Sequence, residues 1–173
     1  MEQKEVRVLL EQVAGGKMDI DEAMLKLKEA PFEDLGFAKP DYHRALRQGI
    51  AEVIYGAGKT PEQIHDIVAS MVQQGQKSIL ITRMSSEAAE AVEQDFIIKY
   101  DKYSRIGLVG EIPEPDGIGK VVVAAAGTSD LPVAEEAAQT AECFGNEVVR
   151  LYDVGVAGLH RLLAHREEIM TAR

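Results

Sequence analysis

Two stretches of this chain carry residues whose types and spacing suit them to holding an anion. In AAAGTSD (Ala124–Asp130), Gly127 offers a backbone that a phosphate can approach closely, and the hydroxyls of Thr128 and Ser129 can donate to it. The stretch falls where a buried strand gives way to a helix, whose free N–H groups and positive dipole end favour negative charge. A plainer alternative is that Ser129 or Asp130 only caps the helix, with Pro132 tolerated in its first turn. YDVGVAGLHR (Tyr152–Arg161) stands at the equivalent end of the next strand, and Gly155 and Gly158 allow a tight turn there. His160 and Arg161 fall in the first turn of the following helix, where the dipole disfavours a cation unless an anion is present. That term is worth only about 0.3–1 kcal/mol, so side chains facing solvent explain the pattern equally well.

Other candidates are weaker. GAGKT (Gly56–Thr60) invites a phosphate-loop reading, but the motif needs a glycine where Val53 stands, and Thr60, Pro61 and Gln63 explain the segment as a helix start. DYHRALR (Asp41–Arg47) sets His43 and Arg47 on one helix face with Arg44 beside them, suited to an anion but equally to a solvated surface. His160 and His165 diverge around a helix and chelate poorly, so no metal site is readable. Cys143, the single cysteine, lies late in a helix and reads as a small core residue; it excludes an internal disulfide and agrees with a reducing compartment.

The elements that must position these loops follow from periodicity. Residues 2–14 and the stretch after Asp19 read as two helices split by Gly15-Gly16, with a capping pair Asp19/Glu22 and a stop at Pro31, giving a helical hairpin over 1–38. A small α/β module is expected over 39–112. It holds a short helix from Asp41, a strand near Glu52–Tyr55, a helix from Thr60 to about Gln74, the strand Ser78–Thr82, a helix through Glu87–Phe96 capped by Ser85 or Ser86, and the strand Arg105–Gly110. Two prolines and two glycines make 113–119 a linker. Residues 120–173 read β-α-β-α, the start of a parallel doubly wound sheet, so the fold class is α/β. Such a sheet normally has more strands, and the second domain reads as unfinished at Arg173.

A net charge of −10 without a basic run argues against a nucleic-acid partner, so any anionic ligand must be held locally. No apolar run approaches the roughly 18 residues of a membrane span, and the start of the chain, with Glu2, Lys4 and Glu5, does not resemble a signal peptide; the chain reads as cytoplasmic. Unprotected strand edges point to a homo-oligomer.

AAAGTSDLPVAEEAAQTAE followed by YDVGVAGLHRLL resembles the LarB family, whose core is similar to the PurE-like aminoimidazole ribonucleotide carboxylases and mutases. DLGFAKPDYHRALRQGIAEVIYGAGKTPEQI also resembles the amino-terminal region of the LarB family, so the likeness extends over most of the chain. The resemblance implies carboxylation of the pyridinium ring of nicotinic acid adenine dinucleotide and cleavage of its phosphoanhydride, a step in nickel-pincer cofactor biosynthesis. The implied products are a pyridinium dicarboxylate mononucleotide and AMP. Carbon dioxide or bicarbonate is the implied co-substrate; no covalently bound cofactor is implied, and magnesium is compatible. A pyridinium ring does not attack carbon dioxide, and in the family a cysteine thiolate first adds to it to make a nucleophilic enamine. Cys143 does not match that cysteine's position, which the resemblance puts beyond Arg173, so residues 1–173 alone are expected not to carboxylate. Gly127, Thr128, Ser129 and Asp130, with Asp153, Gly155, Val156, Ala157 and Gly158, carry over as ribose-phosphate and ring-binding elements, Asp130 also in a supporting catalytic role. Two alternatives stay open: an aminoimidazole ribonucleotide carboxylase relative, and a noncatalytic oligomerising nucleotide-binding fragment.

Overall fold

The computed structural model describes residues 3–28 and 32–173. The chain divides into two compact units, Met1–Glu52 with Asp66–Gln76, and Val53–His65 with Lys77–Arg173.

In the first unit, α1 (Gln3–Ala14) and α2 (Ile20–Lys28) pack as a hairpin. Gly16 takes the left-handed backbone (φ 65°) that ends α1, and Asp19 Oδ1 accepts the Asp21 N–H at 3.1 Å to start α2. The stop expected at Pro31 lies outside the described residues. A five-residue helix, α3 (Arg44–Gln48), closes on Gly49 (φ 74°). Tyr42 and Ser70 are buried, and both hydroxyls donate to Glu33 Oε2, at 3.0 and 2.6 Å. Burial pushes the Tyr42 phenol above its ordinary value.

In the second unit, β1 (Val53–Tyr55), β2 (Ser78–Thr82), β3 (Ile98–Asp101) and β4 (Ile106–Gly110) form a sheet in the order β1-β2-β4-β3. The first pair is parallel and the other two antiparallel. β2 fills the middle because SILIT is apolar on both faces, and Ile79, Leu80 and Ile81 are buried. Strand β3 is missing from the sequence reading: IKYD alternates Ile98 and Tyr100 with Lys99 and Asp101, but over only four residues. The expected capping box opens α4 (Pro61–Gln73): Thr60 Oγ1 accepts the Gln63 N–H at 3.2 Å, and Gln63 Oε1 accepts the Thr60 N–H at 3.1 Å. Ser85 caps α5 (Ser86–Glu93) through the Ala88 N–H.

Residues 111–119 hold no helix or strand. Beyond them β5 (Lys120–Ala124) and β6 (Glu147–Leu151) pair in parallel, Val121 beside Val148 and Ala124 beside Leu151. Between them runs α6 (Leu131–Cys143), which buries only the small residues Ala134 and Ala138 and so lies close to its neighbours. Its polar residues reach the four-stranded sheet: Glu136 pairs with Arg83 at 2.7 Å, and Gln139 Nε2 donates to Asp101 Oδ2 at 2.8 Å. The last helix, read as continuous, is broken at His165 (φ −103°, ψ 22°) into α7 (Leu159–Ala164) and α8 (Arg166–Met170). The protein is therefore α/β, with a parallel β-α-β-α segment bearing both candidate loops. Among the described residues no helix is long and apolar enough to cross a membrane.

Candidate functional site

The two loops leave the same ends of adjacent parallel strands, and the backbone stitches them together. Ala125 donates to the Leu151 carbonyl at 2.9 Å, Val154 to the Ala125 carbonyl at 3.1 Å, and Gly155 to the Ala126 carbonyl at 3.0 Å. Ala125, Leu151 and Val154 are buried and anchor both loops, while Thr128, Ser129, Asp130, Asp153, Val156 and Ala157 are exposed. Gly155 is demanded by this junction, since a Cβ there would lie 2.7 Å from the Ala126 carbonyl oxygen. Gly127 differs: its backbone is extended (φ −145°, ψ 171°), and a Cβ would meet nothing within 4 Å. The chain's own packing makes no demand for glycine there.

Neither Ser129 nor Asp130 caps α6 with its side chain. A turn of 3-10 helix, Thr128–Asp130, comes first, and the Asp130 carboxylate folds back to accept the Gly127 N–H at 3.2 Å. Ser129 therefore caps no helix, while the Asp130 carboxylate makes the reciprocal half of a capping box at the Gly127 amide. What stands at the end of β5 is a short exposed turn with two hydroxyls on its surface and a carboxylate held over its first amide.

The second loop is more tightly tied. Asp153 adopts a left-handed backbone (φ 59°), and its carboxylate accepts from the Arg161 guanidinium. Arg161 reaches Asp153 by lying over Gly158, where a Cβ would be 2.7 Å from its Nε. Arg161 thus has a partner in the chain itself, while His160 is exposed in the first turn of α7. Val156, Ala157 and Gly158 form a second 3-10 turn, with Val156 78% exposed at its tip.

Behind the loops lies a polar network that the sequence reading missed. Tyr152, at the foot of the second loop, donates to Glu135 Oε1 at 2.7 Å, and Glu135 stands one turn after the first loop. Arg150 Nε also reaches Glu135, at 3.2 Å, and its Nη1 and Nη2 clasp Glu142 at 2.5 and 2.8 Å. The Glu142 carboxylate raises the guanidinium's already high pKa further. Burial, seconded by Glu135, pushes the Tyr152 phenol up to about 12, so the phenol keeps its proton and holds the loop to α6. A signal was available: Arg150 and Tyr152 alternate onto one face of β6, and Glu135, Gln139 and Glu142 recur at helical spacing along α6.

The remaining candidates belong to other segments of the chain. Lys59 Nζ donates to the Tyr55 carbonyl at 2.7 Å, as befits a turn. In the first unit, His43 and Arg44 are half-buried and the Arg44 Nε is buried, while the Arg47 side chain lies outside the described residues. Cys143 is partly buried, and burial, seconded by Glu142, pushes its thiol up to about 11. Among the described residues no three His, Cys, Asp or Glu side chains converge to hold a metal ion.

Residues 32–111 match the LarB/PurE-like N-terminal domain. An uncharacterized protein of Methanocaldococcus jannaschii is 34% identical over 166 residues, which cover 92% of this chain and 65% of that relative. The match therefore runs through both loops, and this chain spans about two-thirds of the relative's length. Over residues 32–111 the chain carries a LarB/PurE-like N-terminal domain.

Proposed function

We propose that this chain supplies nucleotide-holding loops for carboxylation and phosphoanhydride cleavage of nicotinic acid adenine dinucleotide. The observation that carries the proposal is the joining of Gly127–Asp130 and Asp153–Gly158 at the same ends of two adjacent parallel strands. That is where doubly wound folds hold their ligands. In this reading the unobstructed Gly127 lets a phosphate oxygen come against the backbone, and Thr128 and Ser129 donate their hydroxyls to it. Asp130, already oriented by the Gly127 amide, faces the reacting ring and steadies the incoming carboxyl group or its proton. Val156 and Ala157, exposed on their turn, provide apolar contact for the ring.

Cys143 is not the nucleophile of this reaction. Its thiol is raised rather than lowered, so almost none is thiolate near neutrality, and it lines α6 rather than either loop. Carbon dioxide or bicarbonate is the co-substrate of the proposed reaction.

Isothermal titration calorimetry separates this proposal from its competitor. The dinucleotide should bind more tightly than 5-aminoimidazole ribonucleotide, and Ser129→Ala should weaken it by about 1–3 kcal/mol, as for a lost hydrogen bond to a charged group. Preference for the imidazole nucleotide would move the chain to the purine carboxylases. Unchanged affinity in a folded Ser129→Ala variant would remove the loop from the binding site.

A further inference from the structure

Away from the loops, a cavity of 430 Å³ opens between β3–β4 and the C-terminal half of α6. Its size lies within the roughly 300–1,000 Å³ of small-molecule sites. Ile106, Leu108 and Ile112 give it an apolar wall, and Asp101, Glu142 and Arg150 supply its inner charges. Arg150 is committed to two carboxylates, Glu142 and Glu135, so the charge around it sums to negative. Asp101 adds another: burial opposes its ionisation, but the amide of Tyr103 and the side chains of Gln139 and Ser104 outweigh this and keep it ionised. The other cation of the lining, Lys99, is exposed, and water screens it. A ligand entering here leaves water for a site with an apolar wall where three carboxylates, Asp101, Glu142 and Glu135 behind Arg150, face two cations, Arg150 and the exposed Lys99.

We propose that this cavity is a second ligand site, built for a small primary amine or ammonium compound with an apolar body. The ammonium group meets the free lone pairs of the Asp101 and Glu142 carboxylates, and the body lies against Ile106, Leu108 and Ile112. An anion of the same shape is rejected by the same carboxylates.

Cys143 lines the cavity and is the protein's single cysteine, so its modification reports occupancy at one place. The intact chain is treated with methyl methanethiosulfonate at mildly alkaline pH. The thiolate takes the methylthio group, releasing methanesulfinate, and mass spectrometry follows the adduct. Phenethylammonium should slow the reaction severalfold and saturably at millimolar concentration, whereas 3-phenylpropionate should not. Glu142→Gln should weaken the protection, and Lys99→Gln should leave it unchanged, each variant being checked for an unaltered circular dichroism spectrum. Should Glu142→Gln not fold, amide NMR of the unaltered chain decides: phenethylammonium should move Asp101, Gln139 and Cys143 saturably. Equal protection by the two compounds, protection by neither, or no saturable shift at those amides overturns the proposal.

Discussion

Replacing Arg150 by Met should cost more than its position on a two-stranded sheet suggests. The guanidinium makes two hydrogen bonds to Glu142, at 2.5 and 2.8 Å, and reaches both Glu135 oxygens at 3.2 and 3.3 Å. Side-chain exposures of 30%, 19% and 26% for Arg150, Glu135 and Glu142 mean that the three share a partly dry environment. Removing one partner of a fully buried pair costs about 3–5 kcal/mol, because the other charge is stranded. Here water reaches the orphaned carboxylates in part, and Tyr152 still donates to Glu135, so the expected loss is about 2–3 kcal/mol. Urea unfolding followed by circular dichroism measures it, with the denaturant slope unchanged. Adding Glu142→Gln to Arg150→Met should recover at least about 1 kcal/mol, since the stranded charge is then gone. A loss below about 0.5 kcal/mol in Arg150→Met would refute the reasoning and make the cluster a surface ornament.

Gly155→Ala should destabilise the protein by about 1–3 kcal/mol, because its Cβ would meet the Ala126 carbonyl oxygen at 2.7 Å and neither backbone can give way; chemical denaturation checks it. Thr60→Ala should cost about 0.5–2 kcal/mol through the lost capping box, read in the same assay. The Cys143 thiol should titrate near 11 in the folded chain against its ordinary value of 9, as iodoacetamide rates across pH will show. Since the folded pKa is the higher one, the contribution of this thiol to stability is complete below pH 9 and falls as pH climbs from about 9 to 11.

What the sequence revealed depended on how local the cause was. The Thr60/Gln63 box, the Ser85 cap and the boundaries of Ser78–Thr82 were legible because each rests on neighbours within one turn or on an unbroken apolar run. The two loops were legible as turns of special composition at strand ends, and the parallel pairing that joins them follows from the β-α-β rule. The Arg161–Asp153 pair was not, since its geometry depends on the left-handed backbone at Asp153 and on the room left by Gly158. Strand β3 and the Arg150 network escaped for a similar reason. Both are set by partners in distant segments, as in Gln139 reaching Asp101, and a local period, where there is one, does not say which partner it meets. The break at His165 is likewise invisible in a stretch whose apolar residues keep helical spacing throughout.

The central claim is that Gly127–Asp130 and Asp153–Gly158 together hold a nucleotide. Titrating nicotinic acid adenine dinucleotide into the isotopically labelled chain, with amide shifts followed by NMR, tests it residue by residue. The largest saturable shifts should fall on the amides of Gly127, Thr128, Ser129 and Asp130 and of Asp153–Gly158, with β1 and β3 unmoved. Shifts confined to other segments, or none at saturating dinucleotide in a folded chain, would contradict it.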